Sequence, residues 1–260
     1  MDPASLIGIA IALLAIFVSM LLEGGDPMSI LLLPPILLVI GGTLGAGMAG
    51  GMMRDTVGIV ALFKRAMTSP KLEGANVINT VVKLADRARR EGMLALEDEV
   101  KKVQDPFLRR GLELAVDGVD SDELRDILEL EIETKRRQDK VGAKLFADMG
   151  GFAPTIGIIG TVLGLVHVLE NLAEPTELGH LIAGAFVATL MGVLTANVVW
   201  LPLANRLKRI SDLEAEQMHL ALEGVLAIQS GLNPRLVAQK LRSMVPAEPA
   251  PAAAPAKKAA

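Results

Sequence analysis

Long apolar runs alternate along this chain with long charged ones. Four runs, roughly Pro3–Leu22, Met28–Met52, Met149–Leu169 and Leu178–Ala204, contain no Asp, Glu, Lys or Arg. At about 1.5 Å per residue each could cross about 30 Å of hydrocarbon as a helix. The pattern predicts an all-α integral membrane protein with four transmembrane helices. Between the second and third runs, apolar positions recur at threes and fours among charges, as in an amphipathic helical domain. One such helix would bury Val77, Ile78, Val81, Val82, Leu84 and Ala85 and leave Lys83, Arg87 and Arg90 wet. Asp122 and Glu123, after Ser121, suit a helix N-terminus. From Leu124 the helical spacing continues without proline to Pro154, which predicts one long helix entering the third run. Beyond the fourth run, Leu207, Ile210, Leu213, Met218, Leu220 and Val225 predict a helix reaching about Gly231, beside the first.

The predicted organisation is therefore spans one and two over 1–52, a cytoplasmic helical domain over 53–148, spans three and four over 149–204, a cytoplasmic helical extension over 205–245 and a disordered Ala/Pro/Lys tail over 246–260. Charge sets the sidedness. Of 26 Lys and Arg residues, 18 lie between Arg54 and Lys144 and 8 between Arg206 and Lys258. Basic loops stay in the cytoplasm, so both termini are placed inside and the acidic connections Glu23–Pro27 and Glu170–Glu177 outside. Trp200, near the inner end of the fourth run, is expected to bury its ring at the interface and keep its N–H wet. The first run lacks a basic segment before it and is expected to persist as a span rather than be cleaved.

The absence of cysteine excludes disulfides, thiolate metal sites and cysteine nucleophiles. No His/Asp/Glu cluster, Gly-x-Ser-x-Gly or phosphate loop is present, so neither an enzyme nor a cofactor or metal is expected. Nucleic-acid binding has no support either.

Without an ionisable group inside any run, an ion relay would need a carboxylate from another polypeptide. The polar groups inside are Ser19, Thr43, Thr161, Thr189 and Asn197, each able to bond within its helix or to a neighbour. Small residues step by four through Ala153, Gly157 and Thr161, through Gly160 and Gly164, and through Gly184, Ala188, Gly192 and Ala196. Such tracks let helix backbones approach closely. Pro154 and Pro202 are expected at similar depth, near the inner ends of spans three and four, as hinges. Counting from them puts Thr161 about 10 Å and Thr189 about 20 Å further into the membrane. His167 and His180 flank the outer connection as spectators.

Two stretches, Gly151–Leu165 and Ala185–Asn197, followed by Leu201-Pro-Leu203, together with the layout, resemble the MotA/PomA family, the A subunit of the bacterial flagellar stator. In the loop, the Arg89–Glu97 segment is similar to the family's Arg-x-x-Gly-Met-x-x-Leu-Glu motif. The resemblance implies a subunit of the bacterial inner membrane that forms, with a MotB/PomB-like B subunit, a channel turning H+ or Na+ flow into torque. It implies a pentamer of A subunits around a B dimer whose membrane Asp binds the ion. Spans three and four would line the path, with Thr161 and Thr189 facing it and Pro154 and Pro202 coupling it to the loop. Arg89, Glu97 and, in a family-like Glu-Ile-Glu-Thr stretch, Glu131 would contact a FliG-like rotor switch protein. A hydroxyl at Thr161 resembles the sodium-driven members. The alternative is an ExbB/TolQ-type energiser of an envelope system, which has one span before its loop where this chain has two.

Overall fold

The second apolar run does not fold as one helix. Asp26 accepts the Met28 N–H at 2.9 Å and caps a short 3-10 turn, Pro27–Ile30. Pro34 and Pro35 lack N–H groups, which only the first turn of a helix tolerates. The helix accordingly starts at Leu33, and 17 residues result. The chain is described here by a computed structural model covering residues 3–68, 70, 74–173 and 175–245. The tail expected to be disordered, 246–260, lies outside the described residues. Among them every regular element is helical: α1 (Pro3–Leu22), α2 (Leu33–Ala49), α3 (Met53–Val57), α4 (Ile59–Met67), α5 (Gly74–Glu91), α6 (Glu97–Val100), α7 (Pro106–Val116), α8 (Ser121–Glu170), α9 (Pro175–Thr195), α10 (Leu201–Gln229) and α11 (Pro234–Met244). By length and composition α8 and the stretch Leu178–Gln229 are each able to cross a membrane, while Leu6–Leu22 and Leu33–Ala49 are shorter apolar segments.

Packing divides the chain into two units, 1–70 with 135–212 and 71–134 with 213–260. In the second, α5, α7, α11 and the ends of α8 and α10 enclose a core that includes Leu96, Leu108, Leu112, Leu124 and Leu128. Burying side chains of this size stabilises by about 1.5–3 kcal/mol each. α5 buries Val77, Ile78, Val81, Leu84 and Ala85, with Val82 at the margin. Local signals fix the helix ends. Asp105 accepts the Phe107 and Leu108 N–H groups ahead of α7. Asp120 accepts that of Asp122 at 2.9 Å, so the cap of α8 is Asp120 and the acids at 122 and 123 sit in its first turn. Gly231, at φ +66°, ends α10: Leu232 N–H reaches Ala227 O and Gly231 N–H reaches Ile228 O. Glu223 joins α10 to Arg125 of α8 at 3.1 Å and to Lys240 of α11 at 2.5 Å. Burial would raise its carboxyl, but the bonds from Lys240 and Arg125 hold it below the usual range.

In the first unit, Ala66, Leu145, Phe146, Met149, Leu203, Ala204 and Leu207 form the core, joining α4, α8 and α10. Phe146 and Trp200 stack, with ring centroids 6.2 Å apart. This corrects the expectation for Trp200, whose Nε1 is buried without a hydrogen-bond partner among the described residues. The ring's apolar area outweighs one unpaired donor here. Close to this core, Arg65 grips Asp139 through both guanidinium nitrogens, at 2.5 and 3.0 Å, and Lys135 adds a third contact at 2.9 Å. Burial would raise the Asp139 carboxyl; the hydrogen bonds and charges of Arg65 and Lys135 outweigh it and hold the group at about 2. Because this lies below the ordinary 3.8, the stabilisation is complete above that value and is lost as pH falls from 3.8 through about 2. Asp139→Asn should therefore cost about 2 kcal/mol at neutral pH. Thermal melts of the purified chain should show that deficit at pH 7 and converge with wild type near pH 2.

Candidate functional site: the seam between α8 and α9

Small residues bring α8 and α9 together. A Cβ placed on Gly157 would lie 2.8 Å from the Ala188 carbonyl oxygen, and one on Gly192 would lie 2.5 Å from that of Ala153. Gly160 and Gly164 stand equally close to the Ala188 and Ala185 methyl groups. Backbone against backbone at these distances admits no side chain. Gly184 is the exception in its track: a Cβ there would meet only Leu32 Cδ1, at 3.8 Å.

Where the seam is tightest, two hydroxyls converge. Thr161 Oγ1 lies 3.1 Å from the Ala185 carbonyl oxygen and 3.3 Å from that of Gly157, one turn back in its own helix. Thr189 Oγ1 lies 3.4 Å from the same Gly157 oxygen, and the two hydroxyls touch. Two protons serve these contacts, so the cluster keeps oxygen lone pairs to offer. Such oxygens suit a hard cation or a protonated carboxyl brought by another molecule. Because the threonines touch, they sit at one level, against the expected separation of about 10 Å along the membrane normal. Counting from the prolines misplaced them because those are themselves offset. Pro154 packs against Gly192, whereas Leu201, the neighbour of Pro202, packs on Gly150. The prolines are thus staggered by a turn or more rather than level.

Ahead of Pro202, Ala196–Trp200 forms a π turn in which Leu201 N–H bonds Ala196 O, five residues back. Pro202 donates no N–H to Val198 and its ring would crowd that carbonyl; widening the preceding turn accommodates both effects. Asn197 donates to the Val193 oxygen at 2.8 Å, within its own helix. Thr43 does not follow that pattern. It is fully buried on α2, and its hydroxyl has no partner among the described residues. His167 and His180 line a cavity of about 520 Å³ with Leu32, Pro35, Leu38 and Gly164. Away from the seam, α8 exposes Ile158, Val162 and Leu165, and α9 exposes Phe186, Leu190 and Val193. This face is apolar and uncharged, suited to another apolar helix.

The residues of the loop motif stand elsewhere. Arg89 is exposed and has no ion pair among the described residues, while Glu97 is 68% exposed and approaches Lys101 at 3.5 Å. Glu131 is half-buried and pairs with Arg110 at 3.4 Å.

A hydroxyl pair thus lies on a glycine seam between two helices whose facing stretches carry no charge, and the sequence profile of the MotA/TolQ/ExbB proton channel family matches residues 99–220. Motility protein A of Bacillus subtilis is 39% identical over 95% of this chain and 92% of its own length, and chemotaxis protein PomA of Vibrio alginolyticus 33% identical over 94% and 95%. The chain belongs to the MotA family. Its fold agrees with the C. jejuni MotAB structure at a TM-score of 0.91 (26% identity, covering 96% of this chain and 98% of that one). It agrees with the flagellar MotAB stator complex of Bacillus subtilis at 0.87 (38% identity, 94% and 96%).

Proposed function

We propose that the chain is the A subunit of a flagellar motor stator, working with a MotB/PomB-like B subunit that supplies the carboxylate its own helices lack. The observation that carries this reading is the Thr161–Thr189 pair on a seam flanked by an uncharged apolar face. In this reading four helices span the bacterial inner membrane, both termini are cytoplasmic, and the segment between the second and third spans, near 53–148, faces the rotor. The extension 205–245 lies on the same side. Several copies surround the B helices, in a pentamer by family resemblance. The membrane Asp of the B subunit, when it binds H+ or Na+, loses charge and approaches the threonine oxygens; on release it withdraws. That cycle shifts the B helices against the A ring. The transported ion is substrate, and the reading involves no resident cofactor.

Pro154 and the π turn before Pro202 are the places where α8 and the α9–α10 stretch yield to that movement. Gly157, Gly160, Gly164, Ala188 and Gly192 keep the seam closed while it happens, whereas Gly184 serves the contact with Leu32. On the rotor side, Arg89 and Glu97 present opposite exposed charges that orient a FliG-like switch protein; Glu131, engaged by Arg110, contributes through that pair. Exchanging the two charges, Arg89→Glu with Glu97→Lys, should lower torque and leave membrane abundance unchanged. Bead rotation combined with immunoblots of the membrane fraction reads both, and a parallel fall in abundance would reassign the residues to structure.

The direct test expresses the chain with its cognate B subunit in a flagellated cell lacking its own stator. Swimming speed is then followed against external sodium and against a protonophore. Speed that follows sodium identifies a sodium stator, as the hydroxyl at Thr161 favours; speed lost to the protonophore and indifferent to sodium identifies a proton stator. Immobile cells with both proteins in the membrane and a matched rotor would refute the reading.

A further inference from the structure

A cavity of about 520 Å³ opens in the first unit between the segment of α8 around Lys140 and the start of α10, lined by Arg136, Lys140, Lys144, Lys208, Ser211 and Asp212 among others. Its cations outnumber its available anions. Asp139, on the wall, is already held by Arg65 and Lys135, and Asp212 by Arg136 at 3.2 Å. Lys144 bonds Asp148 at 2.5 Å, one turn along α8. Lys140 and Lys208 are exposed and have no partner among the described residues. Ser211 is the second observation. It lines the cavity at 8% exposure, and its hydroxyl makes no hydrogen bond among the described residues. A hydroxyl free to bond, beside two unpaired ammonium groups, is a donor set open to an acceptor.

The cavity also stands at a defined height. Lys208 lies four residues after Ala204, where the fourth apolar run ends, and Lys140 nine residues before Met149, where the third begins. At about 1.5 Å per residue these are about 6 and 14 Å from the apolar ends, so Lys208 stands within one headgroup layer and Lys140 just beyond it. Lysine stems are long enough to lean toward that layer.

We propose that this cavity is a binding site for the phosphate of an anionic phospholipid, held by Lys140 and Lys208 and oriented by the Ser211 hydroxyl. The proposal rests on the reading that α8 and the α9–α10 stretch cross a membrane. A phosphate diester offers acceptor oxygens to the Ser211 hydroxyl, and its charge neutralises the surplus. The acyl chains lie where hydrocarbon is already required. An anionic headgroup at this point also ties α8 to α10 on the side of the membrane where acidic lipids attract basic segments.

The test uses the purified complex with its B subunit in neutral detergent. Binding of short-chain phosphatidylglycerol, of the matching phosphatidylcholine and of inorganic phosphate is measured by native mass spectrometry and by titration at two salt concentrations. Phosphatidylglycerol should bind more tightly than either competitor and weaken as salt rises. Lys140→Gln with Lys208→Gln should weaken it by about tenfold or more, since each cation near an anionic lipid contributes about 1 kcal/mol. Ser211→Ala should weaken it a fewfold at unchanged melting temperature; should the double variant not assemble, this substitution still decides. Equal binding of phosphatidylcholine, or no change in the Ser211 variant, would overturn the site. Inorganic phosphate binding as tightly as the lipid would overturn the lipid as its source. Cysteine accessibility across the membrane, measured on the same complex, reads the spans independently, so a failed pocket and failed spans are distinguishable.

Discussion

Gly192→Ala separates α8 from α9: the single added methyl meets the Ala153 oxygen at 2.5 Å and the Gly157 and Pro154 Cα atoms at 3.1 and 3.2 Å. All three are backbone, so nothing rotates aside, and relief requires the helices to move apart. Overpacking of this kind costs about 1–3 kcal/mol. The variant should melt markedly earlier, accumulate poorly in the membrane and fail to restore swimming. Gly184→Ala, one track and eight residues away, adds the same methyl 3.8 Å from Leu32 and should change neither melting temperature nor swimming. The contrast is informative because both glycines belong to one four-residue repeat. If both variants behaved alike, helix propensity rather than seam geometry would explain the result.

The second large effect is expected at Thr189. Thr189→Val keeps the shape of the side chain and removes one of the two converging hydroxyls, leaving Thr161 to share the Gly157 and Ala185 carbonyls alone. Nearly normal assembly with abolished swimming is expected, because the methyl occupies the hydroxyl's volume but cannot accept or donate. Thr189→Leu should go further and obstruct the path physically. Pull-down of the B subunit separates the cases: retained binding with no rotation supports a role in the ion cycle. Swimming at wild-type speed with Thr189→Val would remove the hydroxyl from the mechanism.

Much of this arrangement was legible in the bare chain. The four-residue steps from Ala153 to Gly157, from Gly160 to Gly164 and from Ala188 to Gly192 mark a close seam because small side chains repeated on one helical face have few other uses. Helix length in α8 followed from unbroken spacing between Leu124 and Pro154, and the end of α10 followed from Gly231. What could not be read depends on how separate helices meet. The Arg65–Asp139 pair joins residues 74 apart, and no local spacing announces it. Gly184 shares its repeat with Gly192 but turns toward a different helix, since four-residue steps drift around a 3.6-residue turn. Trp200 looked interfacial by its position; its place against Phe146 is a matter of tertiary packing. The two prolines seemed level because they were counted from the ends of apolar runs, and run ends do not mark which residues oppose one another.

The π turn at Ala196–Trp200 has an effect on phase. A wider turn holds about one more residue than an α-turn, so all side chains beyond it are rotated by about 100° relative to uninterrupted counting. Along an unbroken helix, Ala196 and Leu203 would share a face, seven residues apart. With the extra residue, the buried Ala196 points one way while Leu203, Ala204 and Leu207 swing round to the core that holds Ala66, Phe146 and Met149. One continuous stretch thus serves two partners lying in different directions. Deleting one residue from this turn would leave a regular α-helix with both faces still in place, whereas straightening the turn at full length would rotate one of them by about 100° and misdirect it.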